Sequence, residues 1–176
     1  MTTINSYGSR DSDAVRWHEY LQRALMVTFS DDFERYHAGL VALESDQPVL
    51  FEAVDSHARD TLPPQLFDAL HEIMVILHEV MVQSGRRFRR VDRALYFYCW
   101  MQVEDRFAFW GSMSPSELWM NTEWLPKCTF SGILQGFVAS RLWGLLPPNS
   151  ENGLERLAAH SAFTLAECIA EALIDD

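Results

Sequence analysis

In residues 64–85, PQLFDALHEIMVILHEVMVQSG, apolar side chains recur every three or four positions and form two adjoining stripes. This is the period of an α-helix rather than of a strand. Pro64 suits the first helical position, where its missing N–H would have no partner, and Gly85 suits the left-handed residue that ends a helix. The pattern predicts a helix over 64–84 whose wide apolar arc packs at the centre of the molecule.

The rest of the chain carries similar helical signals, separated by short turns. Ser12 is placed to cap a first helix that ends near Phe29. Caps and prolines at first helical positions predict further helices over about 30–44, 48–58 and 91–109, and three more that begin near Ser114, Pro126 and Ser150. The aromatic density of 91–109 also tolerates a partly extended conformation. The predicted fold is all-α, a single-domain bundle of about seven or eight helices over 12–176, preceded by a flexible N-terminus of residues 1–11.

Length and composition indicate one domain with its own core. The chain has 176 residues, of which 48% are hydrophobic, which is enough for a single core. Fourteen basic residues stand against 25 acidic ones, for a net charge of -11. Because such a field repels nucleic acid and anionic membranes, we expect no direct nucleic-acid binding and we expect a basic protein partner.

Targeting signals and cysteine usage indicate a cytoplasmic protein. The first residues lack the basic and apolar regions of a secretory signal, and the most apolar stretch, Ile133 to Leu146, is too short to span a bilayer. Cys99, Cys128 and Cys168 are an odd number with wide spacing, which predicts free thiols in a reducing compartment.

The acidic charge is concentrated in one part of the sequence. Between Asp31 and Glu79, eleven acidic residues stand against two arginines, Arg35 and Arg59. Many of these carboxylates must face water, because burying them unpaired is costly. We expect this region to recognise the basic partner through seven acidic residues: Asp31, Asp32, Glu34, Glu44, Asp46, Glu52 and Asp55.

A basic cluster and a set of tryptophans provide an alternative binding surface. Five arginines occur within residues 86–93. They can grip a phosphate or a carboxylate-rich partner, or they can pair internally with helix ends and neighbouring acids. Tryptophan is enriched at binding hot spots. The alternative partner-binding set is therefore Trp110, Trp119, Trp124, Arg86, Arg87 and Arg90.

Two segments have the carboxylate-x-x-histidine spacing of di-iron helical bundles, Glu34 with His37 and Asp68 with His71. Such a site also requires glutamates from two further helices, for which Glu19 and Glu104 are nominal candidates, so the set is incomplete. The chain contains neither a Gly-x-Ser-x-Gly elbow nor a nucleotide-binding glycine motif. The sequence therefore predicts no catalytic residue, no metal and no cofactor.

These observations favour a non-enzymatic protein-binding module, such as a bacterial immunity protein or antiactivator that masks a basic nuclease toxin or DNA-binding regulator. Two alternatives stay open. One is a helical-bundle metal-dependent enzyme or ligand sensor, and the other is a structural or secretion-apparatus subunit.

Overall fold

The computed structural model describes residues 7–29, 33–110, 129–143 and 153–174. In these ranges the chain forms seven helices: α1 (Tyr7–Thr28), α2 (Phe33–Asp46), α3 (Pro48–Ala58), α4 (Pro64–Ser84), α5 (Arg93–Trp110), α6 (Phe130–Trp143) and α7 (Gly153–Ala172). The described residues contain no strand, apart from an isolated antiparallel bridge between Phe88 and Leu173. The predicted all-α bundle is confirmed.

α4 is a central helix, as its wide apolar arc predicts. Its side chains Leu70, Ile76 and Val80 are inaccessible to solvent, and the helix contacts α1, α2, α3, α6 and α7. Gly85 ends it in the left-handed conformation with φ 61°, and the Gly85 N–H donates to the carbonyl of Val82 at 3.2 Å. The predicted bounds of α4 are therefore confirmed at both ends.

α7 is the second central helix. Alanines at positions 158, 162 and 166 lie fully buried on one side of it, so the neighbouring helices pack close to its backbone. α5 and α6 lie against α7, and α4 contacts it as well. Together α4 and α7 bring side chains from Trp17 to Ala172 into one hydrophobic core.

Two predictions about the helices differ from the structure, and a third falls on residues outside the described ranges. α1 begins at Tyr7, so Ser12 lies inside the helix rather than at its cap, and residues 7–11 belong to the helix. Serine costs only a fraction of a kcal/mol in a helix interior, so a possible cap does not force a helix to start there. α5 is continuous from Arg93 to Trp110, which makes the partly extended alternative wrong. The helix predicted to begin near Ser114 lies outside the described residues.

None of the helices in the described ranges combines the length and the apolar character that crossing a bilayer requires.

Candidate functional site

The acidic residues predicted to bind a partner lie on α2 and α3, apart from Asp31 and Asp32, which lie outside the described residues. Glu34 and Glu44 are exposed on α2. Ten residues separate them, which corresponds to about 15 Å along the helix axis.

The other three acids of this set have internal partners. The Asp46 carboxylate is 60% exposed, and its Oδ2 lies 3.1 Å from Nε2 of the buried His78. The carboxylate of Glu52 is 3.3 Å from the guanidinium of Arg93, with both side chains exposed. Asp55 on α3 pairs with Arg59, the residue that follows the helix. Three members of the predicted set therefore lie beside histidine or arginine side chains of the same chain.

The outward side of α2 combines acidic and apolar groups. Gly39 fixes which side faces inward, because a Cβ at this position would lie only 3.2 Å from Cγ1 of Val75 in α4. On the opposite side Val41 is 54% exposed, between Glu34 and Glu44. We call this surface the α2 face; its members are Glu34, His37, Ala38, Val41 and Glu44.

The arginine cluster lies in the loop between α4 and α5, where two of its members cap helix ends. The Arg90 guanidinium donates to the carbonyl of Ser45 at 3.0 Å, near the end of α2. The Arg89 guanidinium donates to the carbonyl of Glu171 at 3.3 Å, near the end of α7. The last carbonyls of a helix have no partner within it and carry partial negative charge, so both contacts favour a cation.

Arg86 and Arg87 are exposed, and within the described ranges their guanidinium groups take part in no ion pair. The main chain of Arg87 has a structural role, since its carbonyl accepts a hydrogen bond from the Ile174 N–H at 2.9 Å. The cluster therefore contains three arginines with partners inside the chain, at 89, 90 and 93, and two whose guanidinium groups form no ion pair with any described residue. The side chain of Trp110, and Trp119 and Trp124 as a whole, lie outside the described part of the chain.

A pocket of about 320 Å³ brings together members of both predicted sets. It contains Asp46 from the acidic set and Arg86 and Arg90 from the basic set. The other lining residues are Gln47, His78, Met81, Val82 and Phe88. Its size is at the lower limit for small-molecule sites.

Gln47 is a buried residue that lines this pocket, and sequence reasoning missed it. Its buried amide accepts the Val91 N–H at 2.8 Å and donates to the Arg89 carbonyl at 3.1 Å. These two hydrogen bonds hold the loop between α4 and α5 against the end of α2. No local motif marks such a glutamine, because its partners lie more than forty residues away in sequence.

A buried polar network was also missed by sequence reasoning. The Glu167 carboxylate on α7 accepts from the Arg106 guanidinium on α5 at 2.9 Å and from the Ser131 hydroxyl on α6 at 3.0 Å. The Gln135 side-chain amide donates to it as well. These contacts satisfy a charge that would otherwise be costly to bury, so the network ties three helices together.

His160 lies buried between α5 and α7. Its ring centroid is 4.0 Å from that of Trp100, and Nε2 is 3.0 Å from Oε2 of Glu104. Burial lowers the pKa of His160, and the nearby Glu104 carboxylate opposes this shift only in part. Burial also lowers the pKa of His71, whose Nε2 is 4.0 Å from Oδ1 of Asp55.

The residues considered for a metal site do not assemble into one. Within the described residues, no three His, Cys, Asp or Glu side chains lie close enough together to hold a metal ion. Glu34 and His37 are exposed on α2, and Glu104 lies against His160 instead.

Comparisons with protein-family models, with curated proteins and with solved structures find no match for this chain.

Proposed function

We propose that this chain is a cytoplasmic, non-enzymatic protein-binding module that recognises a basic partner through the α2 face. The observation that carries this proposal is Val41, an exposed apolar side chain between the carboxylates of Glu34 and Glu44.

This arrangement matches the anatomy of protein interfaces. An apolar centre is desolvated on binding, while a charged rim selects the partner and stays partly hydrated. Glu34 and Glu44 would attract lysine or arginine side chains over several ångströms and raise the rate of association. The net charge of -11 acts in the same direction.

The acidic charge of the chain favours a module that covers a basic surface of its partner and blocks access to that surface. A surface of a nuclease or DNA-binding protein that contacts phosphates is basic, and an acidic module competes with nucleic acid for it. This is the action of an immunity protein or an antiactivator.

The proposal can be tested with a partner captured from host cells on the immobilised chain and identified by mass spectrometry. Association would be measured at low and high salt for the wild type and for E34K/E44K. The variant should associate about tenfold more slowly at low salt, and the difference should shrink as salt screens the field.

D13K/E19K is the matched control, because it changes the charge equally at two exposed positions on α1. Equal slowing by both variants would mean that only total charge matters and would overturn the assignment to the α2 face. A captured partner without a basic surface would overturn the proposed function itself.

A further inference from the structure

The outer side of α5 presents large apolar side chains to solvent. Phe97 is 64% exposed, Tyr98 52% and Met101 43%. The opposite side of the helix packs into the core through Cys99 and Val103. We call the outer side the α5 face; its members are Arg93, Ala94, Phe97, Tyr98, Met101, Glu104, Asp105 and Ala108, all exposed.

Single exposed apolar residues are ordinary on protein surfaces, but these three are neighbours on adjoining turns of one helix. A contiguous apolar patch marks an interaction site. A helix that is apolar on both its inner and its outer side is typical of a helix covered on both sides. The α5 face thus requires a covering surface that is itself apolar at the centre.

The charges at the two ends of the α5 face indicate which surface covers it. Arg93 stands at the start of the helix, where its guanidinium lies 3.3 Å from Glu52 with 82% of the side chain exposed, and Glu104 and Asp105 stand in the second half of the helix. A helix that runs in the opposite direction and carries the same residues would place a carboxylate opposite each Arg93. The α5 face is therefore complementary to a second copy of itself in the antiparallel orientation.

We infer that the chain forms a homodimer in which two α5 faces pack antiparallel about a two-fold axis level with residue 99. In this register Phe97 faces Met101 of the second copy, and Arg93 faces Asp105 of the second copy. Each contact occurs twice, as a two-fold interface requires. The α2 face lies on a different helix from this interface, so dimerisation does not depend on the proposed binding of a basic partner.

The dimer is weak, because a single helix face covers less than the roughly 800 Å² per subunit of a standard interface. We expect a dissociation constant on the order of 10 μM. Sedimentation equilibrium between about 1 and 200 μM covers this range. The wild type should shift from monomer to dimer, whereas F97Q/M101Q should stay monomeric with unchanged helicity. A monomeric wild type at 200 μM would overturn the proposal, as would a variant that dimerises equally well.

The register is tested by charge reversal. R93D places two acidic groups opposite each other at each end of the homodimer, and D105R places two arginines there. Each variant alone should dimerise about tenfold more weakly or worse, and E19R, with the same charge change as D105R on α1, should dimerise like the wild type.

An equimolar mixture of R93D and D105R restores opposite charges at both ends. The mixture should therefore form heterodimers with near wild-type affinity. If the two variants dimerise alone as well as they do together, or if the mixture stays monomeric, the antiparallel register is wrong.

Discussion

Glu167 is a carboxylate in the hydrophobic core, and its environment explains why it can be there. Donors from α5 and α6 surround both of its oxygens, and Arg106, whose side chain is partly exposed, supplies the opposite charge. The two charged partners are thus unequal: the arginine can turn towards water when its partner is lost, but the carboxylate cannot.

This difference between the two partners predicts which of two substitutions lowers the free energy of unfolding more. R106A leaves a buried, uncompensated charge and should lower the free energy of unfolding by about 2 kcal/mol, less than a fully buried pair would lose. E167Q should cost about 1 kcal/mol, because the neutral amide keeps a hydrogen-bond acceptor. Urea denaturation measures both. In R106A/E167Q the loss should be smaller than in R106A alone, and a larger loss would contradict this account of the network.

His160 makes stability depend on pH. Its pKa is lowered in the folded chain by burial, whereas in the unfolded chain it titrates near its usual value of about 6.5. Between these two values the unfolded state binds more protons, so the contribution to stability is complete above pH 6.5 and is lost as the pH falls towards the folded pKa. The loss is at most about 1.4 kcal/mol per pH unit for each such histidine.

Unfolding in urea at pH 7, 6 and 5 would measure this slope. H160Q should flatten it, and H18Q, which removes an exposed histidine on α1, serves as the control. An identical slope in wild type and H160Q would show that His160 does not carry the effect. His71, whose pKa burial also lowers, accounts for part of the slope that remains.

The starts and ends of several helices could be predicted from the local sequence, but the contacts between helices could not. α3 and α4 begin and end where the sequence predicted. Proline at the first position marks the start of both helices and Gly85 marks the end of α4, because these residues act through backbone geometry alone. The start of α1 was misplaced at Ser12 because a cap residue is favoured at helix ends but tolerated inside helices.

Two glycines allow a matched test of helix ends against helix interiors. Gly85 has φ 61°, which any other L-residue adopts at a cost, so G85A should lower the free energy of unfolding by about 1 kcal/mol. Gly136 lies within α6, and a Cβ there meets no atom within 4 Å. G136A should therefore raise stability by about 0.5–1 kcal/mol, because alanine favours helix over glycine. Thermal unfolding of both variants gives the signs, and a stabilised G85A would contradict the role of the cap.

For the molecule as a whole, the candidate site could be predicted only in outline. The position of Glu34 and Glu44 on an exposed helix follows from the local pattern of α2. The contact of Asp46 with His78 and the ion pair of Glu52 with Arg93 do not, since each pair joins residues more than thirty positions apart. For the same reason, no sequence pattern indicated that acidic and basic candidates would line one pocket. The exposure of Phe97 and Met101 could not be predicted from the sequence either, because an aromatic-rich helix is normally buried on all sides.

The contact between the α4–α5 loop and the end of α7 affects how the protein folds during its synthesis. Arg89 N–H donates to the carbonyl of Ala172, Ile174 N–H donates to the carbonyl of Arg87, and α7 packs against α4 and α5. A ribosome releases α7 after every other helix described, so until then α4 and α5 lack the surface that buries them. A nascent chain stalled before α7 would expose the core side chains of α4 and α5 to chaperones and proteases, and these side chains would be buried only after synthesis of α7.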